Sequence, residues 1–405
     1  MGQFKGLLLG YGLQGRGALY DLSKSELFSE ITVVDQNPEL ESLVASIGDS
    51  RIRPLCLDLS DKNLLQNLIK QHSVVISLLP RDFGLPVARM AIECGTNFVS
   101  ASYLFDPAES DPVQLAANKE EFKKLDQEAK RKGIVVLTEF GLDPGLDILL
   151  GGQIVRHFDK ITRFFSYGAG FPELEAANNV LRYKFTWTVD GVMRSYLRPA
   201  RVIANGTIKE IPADEIFKNE NIHEMKVKEL GGILECFPNG DSVSYAERLG
   251  IKNTVKDMGR YVCRWQGHSA FWYVMAQCGF LHDEPVLVNG VPVVPRSFVA
   301  TLLSSQDQFW YGEKERDVTL TRVEAEGEKD GKTLKMIYQI IDKRDIATGF
   351  TSMQRTVGFV VAMGAQMILD RTIDNKGILT PLDVPFTACI NELAKRNINL
   401  TTITC

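Results

Sequence analysis

The segment Gly10-Tyr11-Gly12-Leu13-Gln14-Gly15 constrains this chain more than any other, because of what stands on either side of it. Glycines spaced in this way occur in many turns. Here they follow at once on the apolar run Phe4-Lys5-Gly6-Leu7-Leu8-Leu9, and a helical stretch from Arg16 toward Leu27 comes next. A second apolar run, Ile31-Thr32-Val33-Val34-Asp35, then puts an acid about twenty residues beyond the last glycine, as a dinucleotide-binding strand–turn–helix–strand unit requires. Gly10 permits the tight turn, Gly12 lets the backbone approach a pyrophosphate, and Gly15 lets helix and sheet pack closely. The N–H groups of Leu13 and Gln14 lie at the helix N-terminus, where the dipole favours phosphate. Asp35 is placed to accept hydrogen bonds from ribose hydroxyls and to repel a 2′-phosphate, so the expected cofactor is NAD rather than NADP.

The alternation continues through the first third of the chain. Residues 53–58 read as a strand with Asp58 at its end, beside the adenine position, and 61–70 as a helix. Val74-Val75-Ile76-Ser77-Leu78-Leu79 is almost wholly apolar, which suits a parallel strand buried on both faces. Leu79 ends it at the sheet's carboxyl edge, where open α/β folds bind ligands. A helix over 85–94, a strand over 97–100, a helix over 117–131 and a strand over 134–137 complete a doubly wound parallel sheet of Rossmann type.

With 405 residues the chain needs at least two cores. Its net charge of −5 argues against a nucleic-acid partner, and no apolar run is long enough to span a bilayer. The N-terminal apolar run reads as a strand rather than a secretory signal. Seven cysteines without CxxC spacing read as reduced thiols of a cytoplasmic protein, and five scattered histidines give no metal-ligand spacing, so no metal site is expected. Asn289-Gly290 between β-branched runs at 285–296 predicts a hairpin, and 317–342 predict two strands around a loop from Gly327 to Lys332.

At Gly141-Leu142-Asp143-Pro144-Gly145 the chain resembles the saccharopine dehydrogenase family, in its glutamate-forming saccharopine reductase and lysine 6-dehydrogenase branch. The likeness extends to Ser100-Ala101-Ser102-Tyr103, to Tyr183-Lys184-Phe185-Thr186-Trp187, to Phe237-Pro238-Asn239-Gly240-Asp241-Ser242, to Arg260–His268 and to Met353–Gly358. The resemblance implies a Rossmann domain over 1–147 and an inserted mixed α/β substrate and dimerisation domain, built on an antiparallel sheet, over 148–350. The remaining segment, 351–405, would return to the Rossmann domain, and the protein would be a homodimer.

It also implies hydride transfer at a carbon bearing nitrogen in lysine or a lysine-derived amino acid, with Ser102, Tyr103 and Asp143 touching the substrate and Asp143 pairing with its ammonium. Asp143 can equally serve as a helix cap beside Pro144. Saccharopine reductases carry arginines where this chain has Asp190 and Gly240. Asp190 is therefore expected to repel a substrate carboxylate and attract an amine, as in lysine 6-dehydrogenases. Lys184 is a candidate for a substrate carboxylate and His268 for a proton shuttle, although a hydrogen-bonded structural histidine suits His268 at least as well. Trp187 and Phe185 read as core or pocket wall. Three further readings remain open: lysine 6-dehydrogenase proper, a carboxynorspermidine-type polyamine reductase, and a dinucleotide-binding sensor without turnover.

Overall fold

The structure, a computed structural model, describes all residues except Met1, Pro107, Ala108, Ser110 and Cys405. Cys405 of the seven cysteines therefore lies outside the described residues; the other six are free thiols. The chain divides into two units, Met1–Leu149 with Gln354–Asn399, and Leu150–Met353 with Leu400–Cys405.

The first unit is built on strands β1 (Phe4–Leu9), β2 (Phe28–Asp35), β3 (Ile52–Cys56), β4 (Val74–Ser77), β5 (Asn97–Ser100) and β6 (Val135–Leu137). Their spatial order is β3-β2-β1-β4-β5-β6, all parallel. The sheet is apolar on both faces: Leu7, Val34, Val75, Phe98 and Val136 on one and Leu8, Val33, Ile76, Val99 and Leu137 on the other are all buried. A seventh parallel strand, Gly377–Leu379, pairs with β6 and comes from the far end of the chain. Its three residues carry too little pattern to be read in advance. Helix α1 (Leu13–Ser23) packs on the returning segment Gln354–Leu369, which opens in π-type turns. The approach is close: a Cβ on Gly17 would lie 2.8 Å from the Gln354 carbonyl oxygen, and one on Gly358 would lie 2.4 Å from that of Gln14.

The second unit carries β7 (Lys160–Pro172), β8 (Ala200–Ala204), β9 (Thr207–Ile211), β10 (His223–Lys226), β11 (Ile233–Pro238), β12 (Asp257–Trp265), β13 (Val286–Val288), β14 (Val291–Val293), β15 (Asp317–Lys329) and β16 (Lys332–Lys343). The main sheet runs β10-β11-β12-β7-β15-β16 and ends on Leu400–Thr404, with β8 and β9 attached beside β12. It is mixed rather than antiparallel, because β7 and β12 pair in parallel. Two sequence expectations shift here. The last strand belongs to this unit and not to the first. The loop expected over Gly327–Lys332 contracts to a turn on Asp330 and Gly331, both at positive φ, and the strands run up to it on either side. Strands β13 and β14 form a separate two-stranded hairpin closed by Asn289-Gly290, also at positive φ, as a type I′ turn demands.

Candidate functional site

The glycine turn between β1 and α1 has the geometry of a phosphate cradle. Gly10 has φ +92°, open to glycine at little cost, and a Cβ there would press on the Leu78 carbonyl oxygen at 2.9 Å. A Cβ on Gly15 would stand 2.1 Å from the Gly10 carbonyl oxygen, so helix and turn close only without one. Gly12 differs. A Cβ on it would meet no atom within 4 Å, so its lack of a side chain serves nothing inside the protein and leaves the backbone open to an incoming group. Gly12 is also the N-cap of α1 and supplies no side-chain cap. The first N–H groups of the helix, on Leu13 and Gln14, therefore point to a site that suits a phosphate.

Asp35 lies at the end of β2, beside this turn. Its carboxylate accepts from the N–H of Tyr11 at 2.6 Å and from the N–H of Asn37 at 2.9 Å, one oxygen to each. It is thus the anchor of the glycine loop. Arg16, exposed in the first turn of α1, holds its guanidinium 6.0 Å from the centre of the Tyr11 ring. Asp58 falls two residues beyond the end of β3, in the turn before the next helix, and accepts from the N–H of Ser60 at 2.9 Å. Leu79 follows β4 at the carboxyl edge and is half-buried.

The loops after β5 and β6 are stitched together at the same edge. Phe140 N–H donates to the Ser100 carbonyl at 2.9 Å, and Glu139 N–H to the Ser102 carbonyl at 3.2 Å. This brings Ser102 beside the turn that carries Asp143. In that turn a Cβ on Gly145 would sit 2.0 Å from the Gly141 carbonyl oxygen, which explains Gly145, while one on Gly141 would press on the Ala101 Cβ at 3.0 Å. Asp143 is exposed at its tip, and the peptide to Pro144 is cis. Tyr103 is half-buried, its carbonyl facing the start of the helix Gly84–Cys94. Glu139 holds a left-handed backbone, φ +60°, an uncommon state for a residue with a Cβ and one that often marks a site. Sequence pattern carries no signal for it.

In the second unit, the expected substrate contacts are engaged by their own neighbours. Lys184 is buried and its Nζ donates to both oxygens of Glu315 at 2.7 Å. Asp190 does not stand as a bare carboxylate. Arg194 donates to one of its oxygens at 2.7 Å and Arg296 to the other at 2.9 Å. Burial raises the Asp190 carboxyl, but the two guanidiniums outweigh it and hold the group below its ordinary range. The negative charge expected to repel a carboxylate is thus neutralised. Gly240 has φ +66°, a backbone state that an arginine would adopt only with strain. Phe185 is buried core and Trp187 a partly exposed wall.

His268 is fully enclosed by Tyr183, Tyr196, Phe217, Phe237 and Trp272, with its Nε2 2.8 Å from the Tyr196 hydroxyl. Burial, and then the charge of Arg264, push its pKa well below the usual value, so it stays neutral at physiological pH. That environment fits a structural histidine better than a proton shuttle. Arg264 itself, buried beneath the Tyr183 ring, escaped notice in the sequence because one arginine on a strand carries no sign of burial.

A Rossmann sheet with an open glycine cradle, joined in one chain to a mixed-sheet domain, defines a nucleotide-dependent oxidoreductase of the two-domain kind. Comparison with known proteins narrows this. Residues 7–137 match the family model described as the saccharopine dehydrogenase NADP binding domain, and residues 141–398 the one described as the saccharopine dehydrogenase C-terminal domain. The chain belongs to the saccharopine dehydrogenase family.

Among its relatives is the saccharopine dehydrogenase [NADP(+), L-glutamate-forming] of Schizosaccharomyces pombe, 26% identical over 97% of each chain. Another is the alpha-aminoadipic semialdehyde synthase of Arabidopsis thaliana, 28% identical over 83% of this chain, which spans 37% of that longer protein. Apo saccharopine dehydrogenase (L-Glu forming) from Saccharomyces cerevisiae shares the fold over the whole of both chains, with a TM-score of 0.84 at 23% identity.

These findings overturn the expectation of NAD. The matched nucleotide-binding domain is the NADP type, and the fungal relatives carry NADP(+) in their names. The physical reason lies at Asp35: each of its oxygens already accepts from the loop backbone, so an acid at that position has a role inside the protein and does not by itself report a ribose contact. Among the described residues, no helix is long and apolar enough to cross a membrane.

Proposed function

We propose that the protein oxidises a saccharopine-like secondary amine at the C–N bond of its lysine-derived half, using NADP(H). The observation that carries this reading is the S. pombe relative, named for NADP(+) and glutamate formation and matched over 97% of both chains. The residues of the cradle fit the cofactor. Gly10, Gly12, Leu13, Gln14 and Gly15 would hold the pyrophosphate, with Asp58 and Leu79 on the adenine side. Arg16 is the exposed cation beside the loop that a 2′-phosphate can pair with. Asp35 anchors the loop that they share.

When bound, the cofactor would supply the acceptor for a hydride. The carbon that loses it is left as an imine, and water divides this into an aldehyde and free glutamate. The protein's own part is to orient the amine and hold its proton. Ser102, Tyr103 and the exposed Asp143 sit on the stitched loops at the sheet's carboxyl edge, and in this reading Asp143 would pair with the substrate ammonium. Lys184 and Asp190, each in an ion pair, shape the second unit rather than meet the substrate as free charges. The test is to follow NADPH formation from saccharopine and to identify glutamate among the products. Turnover of lysine in place of saccharopine would refute the reading.

We propose also that the protein acts as a homodimer. The hairpin β13–β14 leaves Val286, Leu287, Val288 and Val291 exposed, and an isolated two-stranded hairpin is marginal in water. Leu287→Asp should lower the mass seen by light scattering from dimer to monomer; an unchanged dimer would remove this surface.

A further inference from the structure

Burying a guanidinium costs several kcal/mol unless an anion and hydrogen bonds compensate it, and proteins rarely leave one unpaired. Arg264 breaks that rule. It lies on β12, is 7% exposed, and forms no ion pair among the described residues. One terminal nitrogen donates to the Cys263 carbonyl at 2.9 Å, the Tyr196 hydroxyl is a neutral hydrogen-bond partner, the Tyr183 ring covers the group at 4.9 Å, and Nε has no partner. The carboxylate directly across the β11–β12 ladder is Glu235, but its two oxygens accept from the N–H groups of Gly267 and Ser269, capping the helix His268–Gln277. Glu315, the acid beside Lys184, is held by it.

The surroundings carry a surplus of hydrogen-bonding groups as well as of charge. Trp272 Nε1, in the same aromatic cluster, and the buried Ser269 Oγ three residues before it also lack partners. Along the sheet, Val262 is in register with Gly168 and Gly168 with Thr321, while Gly170 pairs with Thr319. Side chains two apart on a strand share a face. Arg264 and the two threonines therefore flank a glycine-floored trough, and the Oγ1 atoms of Thr319 and Thr321 are unpartnered too. Met353 reaches over Gly170, where a Cβ would touch its Cε at 2.7 Å. An unbranched thioether is the kind of side chain that can leave such a place to a ligand.

We infer that Arg264 is the anchor of a carboxylate-binding site in the second unit, taking a carboxylate of the amino-acid substrate. This rests on the reading given under Proposed function, since a substrate with several carboxylates needs a cation and Lys184 is already paired. A planar guanidinium with a free Nε edge grips a carboxylate through a fork, which an ammonium cannot copy. Thr319 and Thr321 supply further donors along the trough.

The test uses the full-length protein, with glutarate and L-glutamate as probes and sodium chloride matched for ionic strength. Glutarate should raise the melting temperature of the wild type. Arg264→Lys keeps the charge and loses the fork, and its glutarate affinity should fall at least tenfold. Arg264→Met should abolish the response while still unfolding cooperatively, which its ligand-free melt checks. No carboxylate response in the wild type, or an equal one in Arg264→Lys, overturns the site. A strongly destabilised Arg264→Met that still responds to glutarate also overturns it, by showing a purely structural cation. Saccharopine turnover is read separately. An unchanged KM in Arg264→Lys removes the site and leaves the reaction. Arg264-dependent glutarate binding without saccharopine turnover removes the reaction and leaves the site.

Discussion

Gly12→Val separates binding from folding more cleanly than any other change in the cradle. The residue has φ −68° and ψ −162°, an extended conformation that valine adopts readily. A Cβ there meets nothing within 4 Å, so the apo protein has room for the branched side chain. The remaining cost is that of placing valine at a helix N-cap, about 1 kcal/mol, which corresponds to a fall of roughly 2–4 °C in melting temperature for a unit of this size. With cofactor, the same methyl groups stand where the pyrophosphate must approach the backbone. A loss of two decades in NADPH affinity, about 2.7 kcal/mol, is the least expected. Fluorescence titration with NADPH, beside a thermal melt of the apo protein, reads both quantities. Gly15→Ala is the contrasting control, because its Cβ would stand 2.1 Å from the Gly10 carbonyl oxygen; it should lower apo stability by ~3 kcal/mol or more. A folded Gly12→Val that binds NADPH like the wild type would refute the assignment of the cradle.

Arg16→Ala should weaken NADPH at least tenfold, about 1.4 kcal/mol, and leave NADH nearly unchanged; an unaltered ratio of the two dissociation constants would remove Arg16 from the 2′-phosphate. Asp190→Ala should destabilise the second unit by about 1–3 kcal/mol, since it strips one carboxylate from the buried Arg296, and should leave the KM for saccharopine within about twofold. A large rise in KM with unchanged stability would return Asp190 to the substrate. His268 has a pKa lowered by burial and then by the Arg264 charge, so its contribution to stability is complete above about pH 6.5 and declines as pH falls below that of the unfolded residue. Urea unfolding should show stability falling by on the order of 1 kcal/mol per pH unit from this group between pH 6 and 5. His268→Gln should have a shallower slope, and equal slopes would contradict a neutral buried imidazole.

The first unit was legible because its determinants are local. Six strands, four of their five intervening helices and the glycine turn each occupy consecutive residues whose period or spacing announces them, whereas the six-residue helix Leu40–Ala45 is too short to do so. The seventh strand, Gly377–Leu379, has three residues and joins β6 from the far end of the chain, so only tertiary pairing defines it. The same limit governs the second unit. The hairpin turns at Asn289-Gly290 and Asp330-Gly331 are local chemistry, whereas the parallel pairing of β7 with β12 joins residues about ninety positions apart and reverses the expected antiparallel order. Site residues divide along this line too. Gly12 is informative in sequence because its role is steric. Asp35, Lys184 and Asp190 are harder to read because a charged side chain acts through its partners: the N–H groups of Tyr11 and Asn37, the carboxylate of Glu315, the guanidiniums of Arg194 and Arg296. Arg264 is the converse case. What marks it is a buried cation with no ion pair among the described residues and an Nε without a partner, and that is a property of the folded surroundings which no spacing of residues can encode.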